Sequence, residues 1–482
     1  MEGLKESLHE IIAEVLKSYD LTQMTDNQKA GETAPPEVFQ SGPGIFTTME
    51  EAVQAAVIAQ RELILMPLSK RKEIIQAIRD VVIQNREILS INAAEETGFG
   101  RIEDKIIKHV LAASKTPGVE DLEPEAFSDE HGLTLVEKAP YGVIGSIIPS
   151  TNPTSTVTSN GIGMIAAGNA VVFNPHPYAR KVSCQIITMI NTAIVAAGGP
   201  VNLMTSIVKP GIESANELMT HKNISILVVT GGPAVVKVAM NSGKKVIAAG
   251  PGNPPCVVDE TADLVKAGKD IVNGASFDNN IICICEKEVI VVESVADRLK
   301  EEMKKNGAYE LTGQQISEIT KLVVSRAGCP GKEGVINKDY VGKSARDIAS
   351  AIGVEIPDSA KLLLCEVPTD HPLIWTEQLM PVLPLTRVDN VDTAIDLAVS
   401  CEHGFRHTAM MHSRNIEKLS KMAKVMNCSL FIKNGPSYAG LAQGGAGFTS
   451  FTIASPTGEG LTRARTFTRE RRCTLVDYFR IV

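Results

Sequence analysis

Residues 224–253 read ISILVVTGGPAVVKVAMNSGKKVIAAGPGN. Two short apolar runs, Ile226–Val229 and Val246–Ala249, each end in a glycine-rich turn. Thr230-Gly231-Gly232-Pro233 follows the first and Gly250-Pro251-Gly252-Asn253 the second. Runs that are apolar at successive positions and rich in β-branched residues suit strands covered on both faces, the situation in an open parallel sheet. A turn at a strand's carboxyl end that leads into a helix is where such sheets hold phosphates and nucleotides. Taken singly, each of these turns is only a turn.

The pattern extends outward in both directions. Upstream lie LTLVEKAP (133–140), GVIGSIIP (142–149) and NAVVFNP (169–175); downstream lies PCVVD (255–259). Helical spacing fills the gaps, as in Ala179–Ala197 and Ile212–His221, and three helices are predicted at Met49–Glu62, Ser69–Asn85 and Arg86–Phe99. A second α/β block spans about 259–440, with strand runs EKEVIVV (286–292), KLLLCEV (361–367), TAMMHS (408–413) and SLFIKN (429–434). Neither half shows an internal repeat. The tail TFTRERRCTLVDYFRIV (466–482) ends in an alternating, strand-like stretch, and an exposed end strand needs a partner. The fold class expected is therefore α/β.

The chain has 482 residues, 44% of them hydrophobic and only 4% aromatic, enough for two or three domains with tightly packed small side chains. A net charge of −8 offers no basic field for nucleic acid. The one arginine-rich patch, Arg463 to Arg472, reads as a solvated or interface segment. The nine cysteines form no disulfide-like framework, which fits a reducing compartment. No apolar run is long enough to span a bilayer, and the opening residues lack a signal peptide. Residues 1–19, MEGLKESLHEIIAEVLKSY, instead place Leu4, Leu8, Ile11, Ile12, Val15, Leu16 and Tyr19 on one helical stripe. A polar, Gly- and Pro-broken linker follows to Gly44. From periodicity, this helix is as well explained by packing on its own domain or a neighbouring subunit as by docking elsewhere.

Among the thiols, Cys283 sits in FDNNIICICEKEVIVV (277–292), between a polar turn and an apolar strand. That junction can hold a thiol rigidly yet within reach, although a buried inert cysteine is the commoner fate. Cys and His elsewhere lack zinc-ligand spacing. No Walker loop occurs, and no Gly-x-Gly-x-x-Gly follows the early strands.

Several stretches resemble, in order, segments of the aldehyde dehydrogenase superfamily: GVIGSIIPSTNP with Asn152, VVTGG, FDNNIICICEKEV with Cys283, WTEQLMPVLP with Glu377, EHGFRHTAMMHS with His407, and SPTGEGLTRARTFTR. They cover nearly everything from residue 45 onward. They are most similar to the coenzyme A-acylating propionaldehyde and acetaldehyde dehydrogenases of bacterial microcompartments. The resemblance implies an aldehyde dehydrogenase-like fold of two open parallel-sheet domains plus a small β oligomerisation element. It implies a dinucleotide-binding domain at 45–130 and 148–252, a catalytic domain at 253–442, and an oligomerisation element at 131–147 and 443–482. A dimer or tetramer is expected. Residues 1–20, on a linker at 21–44, become a leader that docks to microcompartment shell proteins, and the enzyme is expected in the cytoplasm inside such a compartment.

The implied chemistry begins with Cys283 attacking a short-chain aldehyde. The Asn152 amide and a backbone N–H hold the oxyanion, and removal of such a donor typically raises a barrier by about 2.7–4 kcal/mol. Hydride passes to NAD, with NADP as the alternative, and coenzyme A then takes the acyl group from the Cys283 thioester. Ile148, Pro149, Asn174, Pro175, Thr230, Gly231 and Gly232 are expected to line the dinucleotide, and Glu377 to hold the nicotinamide ribose. Asn174 stands where many relatives carry Lys, and no basic residue awaits a 2′-phosphate, so NAD is preferred. His407 is the acid–base candidate for the coenzyme A thiol, with a structural histidine as the competing reading. Cys285 reads as a small filler residue, since a disulfide two positions from Cys283 closes a strained loop.

One departure is informative. Hydrolytic relatives have Glu-Leu-Gly-Gly-Lys where this chain has Ala249-Gly250-Pro251-Gly252-Asn253. Water, with a pKa near 15.7, needs a base there. A thiol, with a pKa of about 8.5, is already partly ionised at neutral pH. The missing carboxylate points to coenzyme A as acceptor. The rivals are a hydrolytic or phosphorylating enzyme with the same thioester, and a non-enzymatic shell-associated scaffold.

Overall fold

The computed structural model describes residues 42–482. The predicted leader, 1–20, and all but the last three residues of the linker lie outside them.

The described chain opens with a short strand, β1 (Ile45–Phe46), and four helices: α1 (Met49–Leu63), α2 (Leu68–Gln84), α3 (Arg86–Thr97) and α4 (Ile102–Lys115). Thr48 and Glu51 form a reciprocal capping box that starts α1. A hairpin follows, β2 (Glu125–Asp129) and β3 (Gly132–Pro140). Next come β4 (Val143–Ile148), α5 (Pro153–Ala166), β5 (Ala170–Pro175), α6 (Arg180–Ala196) and β6 (Met204–Ile207). Then α7 (Ile212–Thr220), β7 (Ile226–Thr230), α8 (Pro233–Met240) and β8 (Lys245–Ala249) complete the first half.

These strands form a six-stranded parallel sheet in the order β1-β6-β5-β4-β7-β8. After β1 at one edge, the chain enters the centre with β4, runs outward through β5 and β6 to meet β1, and returns to the other side of β4 for β7 and β8. That reversal leaves a crevice at the carboxyl ends of β4 and β7. The sheet is covered on both faces, as the unbroken apolar runs require: Ile144, Val171, Val172, Phe173, Leu227 and Val228 are wholly buried.

The second half contributes β9 (Pro255–Val258), α9 (Leu264–Ala275), β10 (Glu288–Val292), β11 (Ala308–Glu310), β12 (Leu362–Glu366), β13 (Val382–Val388), β14 (Thr408–His412) and β15 (Leu430–Lys433). They make a seven-stranded parallel sheet in the order β11-β12-β13-β10-β9-β14-β15, with its own apolar core. The strand β13 was not among the runs read as strands, although its first residues lie within the quoted WTEQLMPVLP segment.

A third, antiparallel sheet joins β2, β3 and the terminal strand β16 (Thr468–Val476). Two boundaries of the expected oligomerisation element change. Residues 143–147 were grouped with it but form β4, the central strand of the first sheet, because their uniformly buried side chains need cover on both faces. Residues 450–467 also pack on the first sheet. Ala454, Ala464 and Phe467 belong to its core, the Thr457 hydroxyl accepts from the Ala248 N–H at 3.0 Å, and Thr452 and Thr230 share a hydrogen bond of 2.7 Å. Part of the arginine-rich patch is anchored to this half: Arg463 and Arg465 pair with buried Asp121 at 3.2 and 3.1 Å.

Candidate active site

Four strands of the first sheet end along one edge: Ile148 pairs with Pro175, and Thr230 with Ala249. Ile148 is buried and Pro149, just past the strand, is half-buried. Beyond Thr230, the Gly231-Gly232 turn leads into α8, whose first-turn N–H groups lack intrahelical partners and favour an anion. A side chain built at Gly232 would meet nothing within 4 Å. The turn therefore faces open space with room for a pyrophosphate, and the residues present fit a dinucleotide. Asn174 does not offer its side chain there. Its Oδ1 accepts from the Ser214 hydroxyl at 2.6 Å and its amide donates to Gly211 O at 3.4 Å, so it braces the start of α7.

Cys283 lies in the turn between α9 and β10. The preceding residues, Asp278, Asn279 and Asn280, all have left-handed backbones, with φ of 48°, 53° and 64°. Such conformations cost energy in residues other than glycine and persist only where the surroundings enforce them. Here each side chain is anchored. The Asp278 carboxylate accepts from the Arg101 N–H at 2.7 Å, and Asn279 donates to Gly342 O at 2.9 Å. Asn280 donates to Ala275 O and Glu286 O at 2.7 and 3.0 Å. The fully buried Lys287 ammonium closes the far side, donating to Asn280 O at 2.9 Å, Asn280 Oδ1 at 2.5 Å and Ile282 O at 3.5 Å.

Cys283 is half-buried. Burial pushes its thiol up to about 12; Glu377 pushes the same way and Lys287 opposes. Glu377 is itself raised to about 7 by burial, against the pull of Lys287 and of a hydrogen bond from the Gly252 N–H. Cys285 is wholly buried, 3.8 Å from Phe277 O, and packs with Leu111 and Phe277. The strand that would have aligned it with Cys283 begins only at Glu288.

The 249–253 stretch runs beside the thiol. A Cβ at Gly252 would come within 2.9 Å of both Cys283 O and His407 Cγ. Only a bare backbone fits there, and at the start of the stretch Ala249 carries no carboxylate. His407 is wholly buried. Its N–H donates to Glu402 at 2.8 Å and its Nδ1 shares a 2.8 Å bond with the Thr408 hydroxyl. Its Nε2 is buried without a hydrogen-bond partner. Burial, aided by Lys287, lowers the ring to about 4, so it is neutral at pH 7.

Asn152 caps α5, with Pro153 in the first helical turn. Its Oδ1 accepts from the Lys108 ammonium at 2.6 Å, and Lys108 also pairs with Asp278. Thus α4 joins Asn152 to the turn that leads to Cys283. Lys105, Lys108, Asp278 and Lys287 escaped the sequence reading. In α4, Lys105, Lys108 and His109 are buried while Ile102 and Val110 are exposed, the reverse of the usual pattern, so polarity hid their role.

The aldehyde dehydrogenase family model matches residues 46–455. An acetylating acetaldehyde dehydrogenase of Salmonella typhimurium is 51% identical over 440 residues, covering 91% of this chain and 94% of its own length. Among solved structures, a Rhodopseudomonas palustris propionaldehyde dehydrogenase with bound coenzyme A and an acylated cysteine is 51% identical, with a TM-score of 0.87 over 90% of this chain and 98% of that one. A propionaldehyde dehydrogenase from the Clostridium phytofermentans fucose utilisation microcompartment is 46% identical, with a TM-score of 0.88 over 91% and 100%. With a family match across most of its length, and half of its residues shared with such relatives, the chain belongs to the aldehyde dehydrogenase family.

Proposed function

We propose that the protein oxidises a short-chain aldehyde to an acyl-CoA, reversibly, through a thioester on Cys283. The observation that carries the choice of acceptor is Ala249, which stands where hydrolytic relatives carry a water-activating Glu, in a stretch whose Gly252 lies against Cys283 O and His407. A site without that base suits a thiol acceptor better than water. The coenzyme A bound to a relative with an acylated cysteine supports the same reading.

Cys283 passes its proton to solvent and, as the thiolate, attacks the aldehyde carbon. The Asn152 amide N–H and a backbone N–H near Cys283 stabilise the oxyanion. Bound NAD would supply the hydride acceptor, with NADP, which a solved relative holds, as the alternative. Gly231, Gly232 and the start of α8 hold its pyrophosphate, with Ile148, Pro149, Pro175 and Thr230 around it, and Glu377 orients the nicotinamide ribose. In the second half-reaction the neutral His407 accepts the coenzyme A proton at Nε2, and the thiolate attacks the Cys283 thioester. The exchange of one thioester for another is nearly balanced, which makes the sequence reversible.

The test is turnover with and without coenzyme A. Acyl-CoA formation that depends on coenzyme A is expected; steady release of free acid at equal rate without it would overturn the reading. A series of straight-chain aldehydes compared by kcat/KM identifies the chain length, since one methylene is worth about 1–3 kcal/mol.

The antiparallel sheet of β2, β3 and β16 supports assembly into a dimer or tetramer, and a microcompartment relative supports shell docking through residues 1–20. Deleting 1–20 is expected to leave activity intact and abolish encapsulation; lost activity would overturn the docking role.

A further inference from the structure

The helix α4 turns its charged face inward. Asp104, Lys105, Lys108 and His109 are at most 5% exposed. Three of them reach the turn that leads to Cys283, and the fourth holds the start of α5. His109 Nε2 shares a 2.7 Å bond with the hydroxyl of Thr154, in the first turn of α5, and its Nδ1 meets the Ser90 hydroxyl at 3.0 Å. Asp104 accepts from the Asp278 N–H at 2.8 Å, and Lys105 pairs with the Asp278 carboxylate at 3.3 Å. Lys108 stands between them, bonded at once to Asn152 Oδ1 and to Asp278.

The contact with Asn152 has a directional consequence. An ammonium carries donors and no acceptor, whereas a primary amide carries both. Lys108 therefore dictates which end of the amide faces it. With Oδ1 held inward, the Nδ2 N–H groups point away, and they make one bond, 3.3 Å to the Thr151 hydroxyl. Rotated by half a turn, the amide would offer an oxygen to a developing oxyanion, replacing attraction by repulsion. The two orientations fill the same space, so packing alone does not choose between them.

We infer that Lys108 is a positioning residue for the first chemical step: its ammonium locks the Asn152 amide with N–H outward and, through Asp278, holds it in register with the turn that carries Cys283. This rests on the oxyanion role proposed for Asn152. Lys108 does not act on the nucleophile electrostatically, since the charges that bear on the Cys283 thiol are Glu377 and Lys287.

The test compares Lys108→Met, Lys108→Gln and Lys108→Arg, alone and with Asn152→Ala, in the full-length enzyme. Loss of an oxyanion donor costs about 10²–10³ in kcat. Lys108→Met is expected to lose about 10- to 100-fold in the NADH burst rate, less than removal of the donor itself. The KM for coenzyme A and the rate of Cys283 alkylation by iodoacetamide should stay unchanged. Gln, which carries both donor and acceptor, should be impaired, and Arg, which only donates, should recover activity. In the Asn152→Ala background the Lys108 substitutions should add less than about twofold, because coupled groups are not additive. Should Lys108→Met fail to fold, the Gln and Arg pair decides. Full additivity, or an unimpaired Lys108→Gln, overturns the inference alone. An unimpaired Asn152→Ala overturns the oxyanion assignment of the site and the inference with it.

Discussion

Around Asn152, charged and polar groups are matched. Lys105 and Lys108 face Asp278, His109 has a hydroxyl on each ring nitrogen, and the Asn152 oxygen is bonded at 2.6 Å. Burial pushes the Asp278 carboxyl up, yet the two ammonium groups outweigh it and hold the carboxyl below its ordinary range. Around Cys283 the accounts are left open. The thiol is pushed up to about 12, Glu377 up to about 7 and His407 down to about 4, and His407 Nε2 is buried without a partner. Burial also lowers Lys105 to about 8 and His109 to about 3, yet their polar atoms are bonded where His407 Nε2 is not, so it is the hydrogen bonding that makes the first region hold a geometry and leaves the second free to change protonation. Matched buried networks rigidify a fold, while shifted ionisable groups with unmet hydrogen-bond capacity mark the place where protons move.

The comparison can be broken most directly at the nucleophile. Cys283→Ala should abolish aldehyde oxidation, by on the order of 10⁴-fold or more, as loss of a covalent nucleophile does. Measurable turnover within tenfold of the wild type would remove Cys283 from the mechanism. Next, Asn152→Ala should cost about 10²–10³ in the NADH burst rate while the thiol still reacts with iodoacetamide at its normal rate. A parallel loss of alkylation would mean that the two regions are not separable.

His407→Gln sharpens the contrast. The burst should survive, while acyl transfer to coenzyme A falls about 10²-fold, the worth of a general base. Because the imidazole is depressed to about 4, its base form is present above that pH and is lost only as pH falls through it. Acyl transfer in the wild type should therefore show no histidine-like inflection between pH 6 and 7; finding one would overturn the assignment.

The smallest effect concerns Glu377. Its carboxyl ionises near pH 7, and once charged it raises the Cys283 thiol. Between pH 6 and 9 the alkylation rate of the wild type should climb less steeply than tenfold per unit. Glu377→Gln should restore that slope and react a few-fold faster near pH 8, roughly what a charge screened by protein and solvent contributes. An unchanged profile would show that the two groups do not interact.

Legibility from sequence followed the same division. Cys283, Asn152, Glu377 and His407 came from ordered motifs, and the strands around 226–229 and 246–249 from composition, because two-sided burial leaves an unbroken apolar run. Membership of a sheet was harder. Residues 143–147 and 450–467 follow β-like or loop-like patterns that do not say which sheet they join. The supporting charges were hidden for a different reason. Lys105 and Lys108 carry the signature of a solvated helix face, and only the approach of Asp278, more than 150 residues away, makes burial tolerable. Asn174 shows the converse: position on the strand was legible, while Ser214 as its partner was not.

The left-handed run Asp278–Asn280 has a consequence for how the protein comes to life. Its first residue is secured by α4, which belongs with the first sheet, and its last by Lys287, which leads into the second. Neither half can shape the Cys283 turn by itself. A chain still emerging, or one whose lobes have parted, carries at this position an ordinary flexible thiol with no oxyanion partner beside it. On the role proposed for Cys283, the reagent is assembled only when both lobes have closed, so reactivity toward aldehydes is expected to serve as a molecular certificate that folding is complete.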